Sequence, residues 1–381
     1  MERSLREVIG GNLRAARENA GLSQETFAEK LELSRATLSA IENGHSEISS
    51  TNLLRASQIL GLPVTDFFSE KQESVALLYR AAEHVIPNPE ACSRFRRFCE
   101  AYRELEEIVG VADTLLSPPE YSYSPEFHSK PLQFAAQVAY SERERLGLGQ
   151  IDPIENIFKL LDDSGVRIFP YRVEQEGVFG ISAFSRAYGP CIMVNTVNSI
   201  ERQIFTAADE YGHLLMHRAF YTSADLSNAG ERDHEMEEMT HIFAANFLVP
   251  EIGLRDAFGK NVARRNIDLE DIVFLKRHFR VSAQVMARRL FDLGLITHSE
   301  QRQVLESASK AEPDAKKEYA PLGADLVGEW QSVSRFMHLA RKAVLSGMIS
   351  LGKLAELLNQ NLLEVRSLVK EWRKEFVLAP A

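Results

Sequence analysis

The segment GLSQETFAEKLELSRATLSAIENG, residues 21–44, constrains the fold of this chain more than any other. Two short helical patterns stand within it. Ser23 is a good N-cap and opens the first, with Glu25 and Thr26 in its first turn. Leu31 and Leu33 close that pattern. Ser34 caps the second, which Asn43 and Gly44 stop. Upstream, Leu5, Val8, Ile9, Leu13 and Ala16 recur at helical spacing, with Arg6, Arg14 and Arg17 among the polar positions. TNLLRASQILG and VTDFF follow downstream. Several short helices with a tight turn between the second and third make a helix-turn-helix. The expectation is a five-helix N-terminal domain over residues 1–70.

The same residues resemble the Cro/cI repressor type, in which a Ser-Gln pair opens helix two, an alanine lies inside it, a Ser or Thr opens helix three, and Glu-Asn-Gly ends it. Here these are Ser23 and Gln24, Ala28, Ser34, then Glu42, Asn43 and Gly44, and the resemblance covers residues 5–68. It implies that the start of helix three reads the major groove of double-stranded operator DNA. Arg35, Ala36 and Ala40 then take the exposed reading positions, with Thr37, Ser39 and Ser34 near phosphate or bases and Gln24 on a phosphate or outer base. Arg35 is placed to donate two hydrogen bonds to a guanine, worth about 1–3 kcal/mol of discrimination. Glu42 is read as structural, since a carboxylate beside phosphate is unfavourable.

Charge works against tight DNA binding. The chain carries a net −10, and residues 1–68 hold seven Lys and Arg against nine Asp and Glu, a net −2. Affinity per copy should be modest at physiological salt, which a homodimer on a two-fold site would offset. No apolar run approaches the roughly 18 residues of a membrane helix, and the N-terminus is charged throughout. Cys92, Cys99 and Cys191 form no C-x-x-C pair. These features read as a cytoplasmic protein with structural thiols and no membrane partner.

Residues 71–130 read as a helical connector. VALLYRAAEHV precedes a stripe of Phe95, Phe98, Tyr102, Leu105 and Val109, read as a packing face or dimer interface. SPPEYSYSPEF, residues 117–127, is a candidate hinge. From residue 131 two helical patterns precede three short β-rich runs, VRIFPYRV, EGVFGISAFS and CIMVNT. The long helical pattern SIERQIFTAADEYGHLLMHRAF follows. Together they predict a small α+β domain within a mainly α chain.

That last helix carries D-E-x-x-H where a zinc peptidase has H-E-x-x-H. Residues i and i+4 share a helix face, so Asp209 and His213 can address one ion, with Glu210 beside them to take a proton from bound water. A third ligand must come from elsewhere, and RDHEMEEMTHIFAANFLVP supplies acidic residues.

The order G-I-S, I-M-V-N, R-Q-x-F-T-x-A-x-E-x-G-H-L-L-M-H and E-x-x-x-x-x-F-A-x-x-F-L-V-P, residues 150–255, resembles the ImmA/IrrE metallopeptidase family. The resemblance implies a zincin-like domain over residues 131–306. Asp209 and His213 take the helical ligand places, Glu237 the third, and Glu210 the general-base place. His217 is expected to be structural. Asp209 departs from the family's histidine. Aspartate is a legitimate zinc ligand, but two carboxylates and one histidine leave a divalent ion neutral, a weaker Lewis acid, and favour manganese as a competitor to zinc. His241 stands four residues after Glu237 on the same face, as a replacement nitrogen ligand or as a packing residue.

Residues 307–324 read as a linker, and 325–381 as a C-terminal helical region whose ISLGKLAELLNQNLLEVRSLV has the rhythm of a second helix-turn-helix or of a packing pair. The function expected is transcription regulation, with the ImmA/IrrE-like domain responding to a metal or a small-molecule signal. The alternatives are an active metallopeptidase cleaving a repressor protein and an antitoxin-type autoregulator.

Overall fold

Serines cap the first four α-helices of the chain. A computed structural model of the chain describes residues 4–20, 22–62, 64–68, 88–112, 117–123, 127, 130–185, 188–221, 229–262, 267–310 and 326–378. Helices α1 (Leu5–Asn19), α2 (Gln24–Lys30), α3 (Arg35–Glu42) and α4 (Ser50–Leu60) begin at Ser4, Ser23, Ser34 and Ser49. Each serine hydroxyl accepts the backbone N–H three residues on, a cap worth about 1 kcal/mol. Between α2 and α3 the chain turns at Glu32, which is left-handed at φ 59°. The fifth helix expected is a single 3-10 turn, Val64–Phe67, whose Phe67 closes over the core.

That core is Leu13, Phe27, Leu31, Leu38, Ile41, Leu53, Leu60 and Phe67, all buried. At Gly10 a Cβ would lie 2.1 Å from the Ile41 carbonyl oxygen, so α1 and α3 meet at a distance only glycine permits. One ion pair is sealed beneath this contact. Arg17 donates through Nε and Nη2 to the two oxygens of Glu42 at 2.6 and 3.0 Å, and through Nη1 to the Leu22 carbonyl at 2.9 Å. Gln24 Nε2 donates to Glu42 Oε2 at 2.8 Å. Glu42 is thus the buried tie between α1, α2 and α3.

By its contacts the chain divides into two units, Met1–Val75 with Pro87–Arg97, and Ala76–Ile86 with Phe98–Ala381. Helix α5 (Pro89–Val109) belongs to both. In the second unit α6 (Pro131–Arg145) and α7 (Ile157–Asp163) precede strands β1 (Arg167–Tyr171), β2 (Gly180–Ser185) and β3 (Gly189–Asn195). The sheet order is β1-β3-β2, with β1 parallel and β2 antiparallel to the central β3. Among the described residues eight α-helices follow before the last two. They are α8 (Ile200–Met216), α9 (Ala229–Leu248), α10 (Glu251–Asn261), α11 (Leu269–Phe279), α12 (Ala283–Asp292), α13 (His298–Lys310), α14 (Leu326–Val333) and α15 (Arg335–Leu345). Helices α16 (Leu351–Leu358) and α17 (Leu362–Leu378) end the described chain. The class is the one expected, mainly α with one small sheet.

Two local expectations change, and the packing face expected on α5 is found. Residues 117–123 do not hang free: Tyr121 N donates to the Leu215 carbonyl at 2.8 Å, and the Tyr123 ring stacks on Phe134 at 4.5 Å. The expected linker starts inside α13, which runs to Lys310, and its remainder from 311 to 324 lies outside the described residues, as does the helical pattern at 75–85. The stripe on α5 is covered within the chain: Phe98 stacks on Phe169, and Tyr102 and Leu105 are buried with Leu339, Val365 and Trp372.

Glu42→Ala leaves the Arg17 guanidinium buried with only the half-exposed Glu18 at 3.2 Å and the Leu22 carbonyl, and denaturant unfolding should register a loss of about 3 kcal/mol in the first unit. Replacing both with Met and Leu should cost much less, and equal losses in the two variants would mean that the pair is not what holds α1 to α3.

Candidate functional site

The two units carry separate sites. In the first, the buried tie leaves one face of α3 in solvent. Ser34, Arg35, Ala36 and Thr37 are exposed, and Ser39 and Ala40 are half-buried. Gln24 is half-buried, and its amide nitrogen donates to Glu42. This bond orients α2 against α3 and leaves the second amide N–H and Oε1 of Gln24 uncommitted to Glu42.

In the second unit α8 lies between the sheet and α9. Ile204, Ala207, Ala208, Tyr211, Leu214 and Leu215 are buried in the main core, which fixes the rotation of the helix. Two glycines set its depth. A Cβ on Gly180 of β2 would lie 2.4 Å from Thr206 Cγ2 and 3.2 Å from Glu210 Cγ. A Cβ on Gly212 would lie 2.9 Å from the Phe243 ring of α9. With α8 held this way, Asp209, Glu210, His213, Glu237 and His241 line one cleft together with Phe179, Gly180, Arg202, Phe205 and Thr206. The cleft has room for at least a water or a single ion.

Within the cleft the residues fall into two groups. Ligand atoms of Asp209, Glu237 and His241 lie within 4.8 Å of one another. His241 Nε2 is 3.9 Å from Asp209 Oδ1. Asp209 Oδ1 is buried with no hydrogen-bond partner among the described residues. Burial pushes the Asp209 carboxyl above the ordinary aspartate range, His241 and His213 oppose that, and Glu237 adds to it. A buried carboxylate oxygen left unpaired beside a second carboxylate and an imidazole is what a bound cation would satisfy. By this criterion the set fits a divalent ion.

His213 stands one step back. Its Nε2 is 3.3 Å from Thr240 Oγ1 and 3.4 Å from Glu237 Oε1, on the cleft side. Its Nδ1 is 2.9 Å from His217 Nδ1, so one ring donates and the other accepts. A His213 that donates through Nδ1 presents an Nε2 lone pair to the cleft. Glu210 is buried, and Ser182 donates to its Oε2 at 2.5 Å. Tyr221 donates in turn to Ser182 Oγ at 2.7 Å. The sequence had marked Ser182 only as the last letter of G-I-S, and Tyr221 carries no motif at all.

These geometries sit inside two recognised sequence families. A family model described as helix-turn-helix matches residues 13–67, and one described as IrrE N-terminal-like domain matches residues 161–291. The chain is a helix-turn-helix protein with an IrrE N-terminal-like domain. The second match starts later and runs further than the resemblance at 150–255, taking in α11 and nearly all of α12. Among relatives, control protein C.MunI of Mycoplasma sp is 40% identical over 63 residues, 16% of this chain and 85% of that one. The propionyl-CoA carboxylase regulator of Cereibacter sphaeroides is 30% identical over 132 residues, and the chain spans only 29% of its length. The solved clp gene regulator ClgR from C. glutamicum is 36% identical over 17% of this chain and 86% of that one, with a TM-score of 0.17. Among the described residues no helix is long and apolar enough to cross a membrane.

Gly180→Ala should push β2 off α8 and lower the thermal unfolding midpoint, at an overpacking cost of about 1–3 kcal/mol. Thr206→Ser in the same chain removes the nearest colliding carbon and should recover part of it. A Gly180→Ala chain as stable as the parent would show that the sheet has room to retreat.

Proposed function

We propose that this chain is a DNA-binding transcription regulator whose IrrE-like domain responds to a bound divalent cation instead of cutting peptides. The observation that carries the DNA half is the α3 face, presented by a buried Arg17–Glu42–Gln24 tie and tipped by an exposed Arg35. The similarity to a control protein and to a regulator supports it. Two copies on a two-fold operator would place half-sites about one helical turn apart and offset the weak charge of each domain.

What supports sensing over proteolysis is that one oxygen of the Glu210 carboxylate already accepts a hydrogen bond from Ser182. Asp209, Glu237 and His241 would hold the cation, zinc or manganese, with His213 adjacent to Glu237. Two carboxylates and a neutral imidazole cancel its charge, so it would supply weak Lewis acidity and strong cross-linking of α8 to α9. That cross-link makes metal occupancy a conformational signal. A metallopeptidase acting on a repressor protein is the second reading, favoured by the presence of Glu210 beside Asp209 in one cleft.

Arg35→Ala should lower discrimination for the operator by about 1–3 kcal/mol in competition binding. Glu210→Gln should leave operator binding and its response to added zinc or manganese unchanged; loss of a cleaved product on that substitution would favour the peptidase. Protein purified without chelator should carry about one divalent ion per chain by elemental analysis. Asp209→Ala and His241→Ala should each lose it. An ion retained in His241→Ala but lost in His213→Ala would put the nitrogen ligand at His213.

A further inference from the structure

The turn that makes the N-terminal helix-turn-helix occurs again near the C-terminus, at a constant offset of 327 residues. Ser23 caps α2 and Ser350 caps α16, each hydroxyl accepting an N–H at 3.1 Å. Phe27 and Leu354 are both fully buried, and Ala28 and Ala355 follow them. Glu32 and Asn359 are both left-handed, at φ 59° and 50°. Leu33 N donates to the Ala28 carbonyl at 2.9 Å, and Gln360 N to the Ala355 carbonyl at 3.0 Å. Ser34 caps α3 and Asn361 caps α17, each accepting an N–H at 3.0 Å. Leu38 and Val365 are the first core residues of the helices that follow, both fully buried. Helices α15, α16 and α17 each pack on the other two, as a trihelical module.

The turn alone does not mark a DNA reader. It also joins α11 to α12, where Arg280 is left-handed at φ 58° and Ser282 caps the second helix. There the arginines of the second helix are used internally: Arg288 pairs with Asp292, and Arg289 donates to the Val249 carbonyl and to Asn246.

Helix α17 differs in its solvent face. Val365, Val369 and Trp372 are buried. At about 100° per residue, Arg366, Lys370, Arg373 and Lys374 share an arc of about 100°, while Glu364 and Glu371 stand apart on the opposite flank. All four cations are exposed, and none has an ion pair among the described residues. Residues 335–378 hold eight Lys and Arg against four Glu, a net +4 in a chain of net −10. Leu363, 73% exposed, takes the place that Ala36 holds on α3 and offers no hydrogen bond to a base.

We infer that α15–α17 form a second duplex-DNA-binding module, with Arg366, Lys370, Arg373 and Lys374 of α17 laid along the phosphates. It supplies the positive charge that the N-terminal module, at net −2, lacks. It binds DNA largely without regard to sequence, because its charged positions are suited to backbone and its first turn is leucine.

The test is a salt titration of the full chain on a random-sequence duplex. The variant is Arg366→Gln with Lys370→Gln, Arg373→Gln and Lys374→Gln. Each phosphate contact contributes about 0.9 to the slope of log affinity against log salt, so the slope should shrink by about 3 to 4. The charge-keeping variant Arg366→Lys with Arg373→Lys should hold the parental slope, and circular dichroism of both should match the parent. An unchanged slope in the neutralised chain overturns the inference. So does an unchanged slope accompanied by loss of a dimer in sedimentation, which would make α17 a contact with a second copy. Arg35→Ala run in parallel separates the two modules: it should lose operator discrimination and shrink the random-sequence slope by no more than about 1. Discrimination surviving Arg35→Ala would count against α3 as the reader without touching α17.

Discussion

Helix α8 rests on β2 at a separation that glycine alone allows, and the cleft of the second unit depends on that contact. Gly180 lets the strand reach Thr206 and Glu210, while Gly212 lets α9 close from the other side. The two approaches fix both the depth and the rotation of α8. Rotation matters because Asp209, Glu210 and His213 have different tasks within one turn. Asp209 faces His241 and Glu237 across to α9, Glu210 faces Ser182 on the sheet, and His213 reaches back to His217. A change of a few tenths of an ångström in the packing would redistribute all three.

Asp209 does not leave a blank in this setting. It puts a carboxyl in a largely enclosed place, with an exposed imidazole, His241, across from it on the neighbouring helix. In the proposed reading the nitrogen donor would come from α9. A donor set of Asp209, Glu237 and His241 would span two helices, so its occupancy would tie them together. A centre of that kind is better suited to reporting a metal than to polarising a substrate, since its carboxylates already neutralise a divalent charge.

The two helix-turn-helix modules reach the same backbone turn by different means. Around α2 and α3 a buried ion pair, Arg17 with Glu42, ties three helices. In the C-terminal module the residue matching Glu42 is Val369, and the tie is an apolar cluster with Trp372. A second polar junction, Glu106 with Arg167 at 2.7 Å and with Arg335, anchors α15 and β1 to α5. Asp162 accepts the Arg335 backbone N–H at 2.8 Å beside it. The apolar solution frees the basic residues of α17 for solvent, whereas the N-terminal module spends Arg17 internally.

Local chemistry alone determined the caps, the turns and the identity of the chemistry-bearing residues. Ser23, Ser34 and Gly44 announce α2 and α3 because capping and left-handed turns are decided within a few residues of chain, and D-E-x-x-H places its carboxylates and imidazole on one helix by periodicity. The same locality let the final helical segment register as the rhythm of a turn. Only the tertiary structure decided that Glu210 meets Ser182 and Tyr221, that His241 and Glu237 cluster with Asp209 while His213 pairs with His217, and that the stripe on α5 is covered by the C-terminal helices rather than by another copy. Those contacts join residues tens to hundreds of positions apart. Their partners are chosen by which faces the core leaves open, and no spacing within a single segment records that choice.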